Sequence, residues 1–151
     1  MLTLSSMGPR VENLSLRQVS GGWLAQVQGP PAVEWDNSKC VTDRQMEEGE
    51  FSLAKFGCAV LSEVKSNAII LVSKTATGLA TIGVGPGQTS RVEAVRIASR
   101  RAGDRANGSM MVSDAFFPFR DGIDSANDIG VSSVVQPCLL YTSDAADEGL
   151  G

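Results

Sequence analysis

The sequence predicts a layered α/β fold, a mixed sheet with flanking helices, and three observations predict it. Between Glu47 and Val64 apolar residues recur at steps of three and four, the period of a one-sided helix. Ala68-Ile-Ile-Leu-Val-Ser73 is an unbroken apolar run, β-branched at its centre, as in a strand buried on both faces. From Met110 onward a short apolar strand, a short helix and a further strand follow one another, the order of a parallel βαβ unit with a right-handed crossover.

The elements can be justified in chain order. Leu14 to Gln28 holds two apolar stretches around Gly21-Gly22, which predicts a β-hairpin or a bent strand pair. Gly29-Pro30-Pro31 ends it, and residues 32–45 read as a surface connection carrying Trp35. The helix over 47–64 places Phe51, Ala54, Cys58, Leu61 and Val64 on one face. Its acidic start, Glu47, Glu48 and Glu50, suits the positive end of the helix dipole. Thr77-Gly78 marks a turn between the strand at 68–73 and a returning strand at 79–84.

A second helix is predicted from Arg91 to Ala106, with Val92, Val95, Ala98 and Ala102 facing the core. Ser90 and Glu93 have the spacing of a capping box at its start. Met110 to Val112 is a short strand, Asp121 to Ile129 a short helix stopped by Gly130, and Val131 to Gln136 a buried strand.

Composition excludes several function classes. Apolar residues are 42% and charged residues 20% of 151, a soluble globular balance. A net charge of −4 argues against a general nucleic-acid or anionic-membrane binder. No apolar run reaches the length of a transmembrane helix, and the first ten residues lack the pattern of a signal peptide, so a cytoplasmic protein is expected. Histidine is absent, which removes the Ser-His-Asp triad, the Cys-His pair and any histidine base or metal ligand from this chain. Cys40, Cys58 and Cys138 are scattered without a CxxC, so neither a disulfide framework nor a zinc site is expected.

Three segments carry the chemistry. Gly83-x-Gly85-x-Gly87-Gln-Thr-Ser90-Arg91 lies at a strand-to-helix junction, where free N–H groups and an arginine suit an anion. It is neither a Rossmann nor a Walker loop, and a glycine-rich turn without a ligand has the same pattern. Ser113-Asp-Ala-Phe116-Phe-Pro-Phe119-Arg-Asp121 gathers three of the five phenylalanines in one loop. Such rings can stack on a heterocycle while Asp121 bonds a ring N–H, or they can plug the core while Asp114 caps backbone amides. Lys65-Ser66-Asn67 sits between the first helix and its strand, where Asn67 is either a polar group at the sheet end or a helix C-cap.

In this order the three segments resemble one family. Val64-Lys-Ser-Asn-Ala-Ile69, Gly83-Val-Gly-Pro-Gly-Gln-Thr-Ser-Arg-Val92 and Ser113-Asp-Ala-Phe-Phe-Pro-Phe-Arg-Asp-Gly122 are similar to the C-terminal half of the AICAR transformylase domain of bifunctional purine biosynthesis enzymes. Arg96-Ile-Ala, Ala102-Gly and Val134-Val-Gln-Pro137 extend the match. The family also carries IMP cyclohydrolase, and it transfers formyl from 10-formyltetrahydrofolate to the 5-amino group of AICAR.

The resemblance implies a cytidine deaminase-like fold, present here as a partial domain over 1–137, and sites completed across a homodimer. It implies that Asn67 contacts AICAR near the reacting amine, that Ser90 and Arg91 hold the nucleotide, and that Phe116 packs against the imidazole. It places Val92, Phe119 and Asp121 at the folate pteridine. Asp114 and Ser66 match positions near a structural potassium ion in some members, but Ala68 replaces a hydroxyl residue there. The family's acid-base Lys-His pair has no counterpart in a chain without histidine, so a fragment inactive alone is expected. A non-catalytic nucleotide-binding α/β module is the rival expectation. From Cys138 to Gly151 the sequence resembles a translated sequencing adapter, and a non-native tail is expected there.

Overall fold

The computed structural model describes residues 13–28, 35 and 38–137. The expected features at Gly29-Pro30-Pro31 and in the 138–151 tail lie outside the described residues. Two compact units divide the chain, residues 1–41 and 42–151.

In the first unit β1 (Asn13–Val19) and β2 (Gly22–Gln28) pair antiparallel, with Val19 opposite Gly22. The hairpin expected over 14–28 is therefore present. Its turn is Ser20-Gly21, and Gly21 has φ +86°, a conformation open to glycine at little cost.

The second unit runs α1 (Glu48–Leu61), β3 (Ile69–Thr75), β4 (Gly78–Gly85), α2 (Arg91–Ala102), β5 (Met110–Ser113), α3 (Asp121–Asp128) and β6 (Ser133–Val135). The sheet order is β4-β3-β5-β6. β3 pairs antiparallel with β4 and with β5, while β5 and β6 are parallel. The mixed sheet and the parallel pair joined through α3 are as the sequence predicts.

Both faces of the sheet are covered. Ile69, Leu71 and Met111 pack with Ala94, Val95 and Ala98 of α2 and Ala126 of α3. On the other face Gly57 of α1 lies against Val72 and Val112. Ile69, Ile70 and Leu71 are fully buried, and each such side chain contributes about 1.5–3 kcal/mol over an exposed one.

The helix faces differ from the expected ones. α1 buries Leu53, Ala54, Gly57 and Leu61, whereas Phe51, Cys58 and Val64 are only half-buried. The face is turned so that Gly57 lies against the sheet; a Cβ there would collide with Val112. α1 also ends at Leu61 rather than Val64.

α2 buries Ala94 in place of Val92, and it stops at Ala102. Gly103, at φ +58°, breaks it into a 3-10 turn over Gly103–Ala106. The Ser90–Glu93 capping box does not form: Ser90 makes no side-chain cap, and Glu93 turns instead to Arg96 at 3.6 Å. The box forms instead at α1, where the Glu47 N–H donates to Glu50 Oε2 at 3.0 Å. β6 is shorter than expected and half-buried, because it lies at the outside of the sheet.

α2 sits close on β4. A Cβ on Gly83 would strike the Ala98 carbonyl, and one on Gly85 the Ala94 carbonyl. From the same helix Arg101 Nη1 donates to the Val84 carbonyl at 2.6 Å. Arg105 Nη2, in the following turn, reaches the Ile82 carbonyl at 3.4 Å.

Candidate functional site

Strand direction gathers the candidate residues. Because β3 runs against its neighbours, the start of β3 lies beside the carboxyl ends of β4 and β5: Ile69 faces Gly85 on one side and Ser113 on the other. Asn67, which precedes β3, is therefore brought to the edge from which α2 and the 113–121 loop depart. That edge, where parallel strands end, is where α/β sheets commonly hold ligands. Read as a single strand, residues 68–73 gave no reason to apply that rule to Asn67.

The glycine-rich segment is decided by packing. Gly83 and Gly85 are small so that α2 can approach β4, not so that a ligand can. Gly87, at φ +63°, turns the chain and donates its N–H to the Lys65 carbonyl at 2.7 Å. What this junction offers a ligand is the start of α2, with Ser90 exposed, Arg91 partly buried and Val92 half-buried.

Asn67 is clasped to Gln88. Their backbones exchange hydrogen bonds, Asn67 N–H to the Gln88 carbonyl at 3.3 Å and Gln88 N–H to the Asn67 carbonyl at 3.0 Å. The Asn67 side chain adds Nδ2 to the Gln88 carbonyl at 2.8 Å. Asn67 is thus tied to the glycine loop rather than serving as the cap of α1, which ends six residues earlier at Leu61.

Asp114 joins three segments. Its Oδ2 accepts from the Ser66 hydroxyl and from the Ala68 N–H at 3.0 Å. Its Oδ1 pairs with Arg91 Nη2 at 3.4 Å, with both side chains more than four-fifths buried. Arg91 Nε is buried and has no hydrogen-bond partner among the described residues. At the position where the resemblance sets a potassium ion in some members, and where Ala68 already put that ion in doubt, Asp114 is engaged by protein groups. Each carboxylate oxygen already faces a donor, the guanidinium supplies the balancing charge, and Ala68 brings no oxygen from its side chain.

The aromatic loop divides its rings. Phe117 is 5% exposed and belongs to the core, and it lies against Gly122, where a Cβ would collide with it. Phe116 and Phe119 are 42% and 73% exposed and face outward. The core-plugging alternative therefore holds for Phe117, while Phe116 and Phe119 are left exposed at the loop surface. Asp121 begins α3 and accepts from the Gly122 N–H at 2.8 Å. The shared sheet edge relates Phe116, Phe119 and Asp121 to Asn67 and Arg91.

Two residues escaped the sequence reading. Gln88 is the partner of Asn67, and Gln136 Oε1 accepts the Phe117 N–H at 3.2 Å, pinning the aromatic loop to the end of β6. The signal for both is the same: a polar residue just past a strand, at the carboxyl edge of the sheet.

Known proteins are similar to this sequence. A family model described as AICARFT/IMPCHase bienzyme matches residues 1–101. The chain is 42% identical over 139 residues to the bifunctional purine biosynthesis protein PurH of Dinoroseobacter shibae, a match covering 85% of this chain and 26% of that protein. It is 41% identical over 161 residues to the protein of the same name from Chelativorans sp., covering 98% of this chain and 29% of that protein. The chain thus spans between a quarter and a third of the length of these curated relatives.

Proposed function

The chain belongs to the AICARFT/IMPCHase bienzyme family, and from that premise we propose that it forms one wall of an AICAR formyltransferase site. The substrates are the AICAR nucleotide and 10-formyltetrahydrofolate, and the reaction belongs to purine biosynthesis. The observation that carries this reading is the convergence of Asn67, Arg91 and the exposed Phe116 on one sheet edge, with a buried Arg91 donor left over for a ligand acceptor.

In this reading Arg91, with Ser90, holds the nucleotide by charge-assisted hydrogen bonds. Phe116 offers a flat apolar surface to the imidazole ring. Asn67, held by Gln88, positions the amine that attacks the formyl carbon. Phe119, Val92 and Asp121 receive the pteridine, stacking on it and accepting from its ring N–H groups. A second copy of the chain completes the site.

Formyl transfer also needs a group to take the proton from a weakly basic aromatic amine. The chain contains no histidine to do so. We infer that these 151 residues bind substrate without turning it over. Calorimetric titration with AICAR, with other purine nucleotides and with a folate analogue tests the binding, and a formyl-transfer assay tests the inactivity. Preference for AICAR without turnover is expected. Turnover by this chain alone overturns the inactivity, and equal affinity for unrelated nucleotides favours a general nucleotide-binding module.

A further inference from the structure

We propose that Asp114 is the positioning residue that presents Arg91 to the nucleotide; this rests on the reading of Arg91 as a nucleotide-binding group. The carboxylate is fixed independently of Arg91. Ser66 Oγ and the Ala68 N–H both hold Oδ2, and the Asp114 N–H returns to the Ala68 carbonyl at 3.3 Å, so β5 and the segment before β3 lock the aspartate from two directions. Its other oxygen, Oδ1, then meets Arg91 Nη2 at 3.4 Å.

Arg91 has a long, rotamer-rich side chain, and without a fixed partner it would lose much of that freedom only when ligand arrives. Asp114 engages one of its five N–H donors. The buried Nε–H has no protein acceptor among the described residues, a state that costs free energy unless a ligand oxygen completes it. The aspartate also offsets the positive charge that Arg91 adds to the start of α2, so the arginine stays seated in the empty site.

A carboxylate that merely satisfied the Ala68 amide would also bond Ser66 and Ala68, but it would have no influence on Arg91. Two measurements separate the roles. The first needs no ligand: nitrogen NMR of the arginine guanidinium groups in the 151-residue chain. Slow rotation about the Arg91 Cζ–Nε bond, with separate Nη signals, is expected, and Asp114→Asn should merge them. Freely rotating Arg91 in the unaltered chain overturns the proposal.

The second is a double-mutant cycle read by calorimetry with AICAR. Asp114→Asn should weaken binding roughly 5- to 30-fold when Arg91 is present and not at all in the Arg91→Ala chain. Equal losses in both backgrounds overturn the proposal. If the unaltered chain binds no AICAR, the functional reading fails while the NMR result still decides the positioning role.

Discussion

Asn67 and Gln88 hold each other by a reciprocal pair of backbone hydrogen bonds, 3.3 and 3.0 Å long, between the entry to β3 and the exit from β4. This clasp joins a residue from before a strand to a loop that follows another. It ties together the sheet edge at which the candidate site residues gather.

In the proposed site Arg91 offers the nucleotide a charged group from a part-buried position. Arg91→Ala should weaken AICAR binding by about 1.5–3 kcal/mol, read by calorimetry. An unchanged affinity returns the arginine to a structural partner of Asp114.

The two kinds of phenylalanine in the 116–119 loop should separate cleanly. Phe117→Ala should cost about 3–5 kcal/mol of stability in urea unfolding, because that ring is core. Phe119→Ala should leave stability within about 0.5 kcal/mol and weaken binding of a folate analogue. Equal stability losses would place both rings in the core.

Gly85 permits α2 to approach β4 through the Ala94 carbonyl. Gly85→Val should destabilise the unit by about 1–3 kcal/mol or more by forcing the helix outward. A midpoint unchanged in urea would mean that the helix can shift without loss.

The Arg44 guanidinium, 2.8 Å from Glu50, and the Glu47 N–H hold the Glu50 carboxyl below its usual value of 4.5. A depressed carboxylate contributes stability above its unfolded pKa, and that contribution is lost as pH falls through the lower folded value. The melting-temperature advantage of the natural chain over Glu50→Gln should therefore be full near pH 6 and fade below about pH 4.5. An advantage that persists at pH 2 would show that packing, not charge, holds Glu50.

Burial pushes the Cys58 thiol up, so less thiolate is present at a given pH. In a Cys138→Ser background Cys40, which is exposed, should react with a thiol reagent at pH 8 well before Cys58. The reverse order would show that α1 opens readily.

The sequence made the strands and helices legible because their periods are strong, but it hid what depends on packing distance and strand direction. The α1 face differs from the expected one because hydrophobicity counts Phe51 and Cys58 and gives no weight to Gly57, which lies against Val72 and Val112 of the sheet. Gly83 and Gly85 looked like a ligand cradle for the same reason: a glycine does not say whether a ligand or a helix fills its space. Asn67 is a candidate site residue through resemblance, yet its position follows only from β3 running against β4 and β5. Gln136 belongs to a contact across 19 residues of chain that no local pattern announces.

The grip of Arg101 and Arg105 on the carbonyls of Val84 and Ile82 bears on how the protein behaves in a crowded solution. Strand polymerisation needs a vacant row of acceptors on an outermost strand. On β4 two of those acceptors, Ile82 and Val84, are taken by guanidinium groups, which also bring positive charge to the approach path. Two side chains of the neighbouring helix and turn thereby oppose strand addition over the C-terminal half of β4.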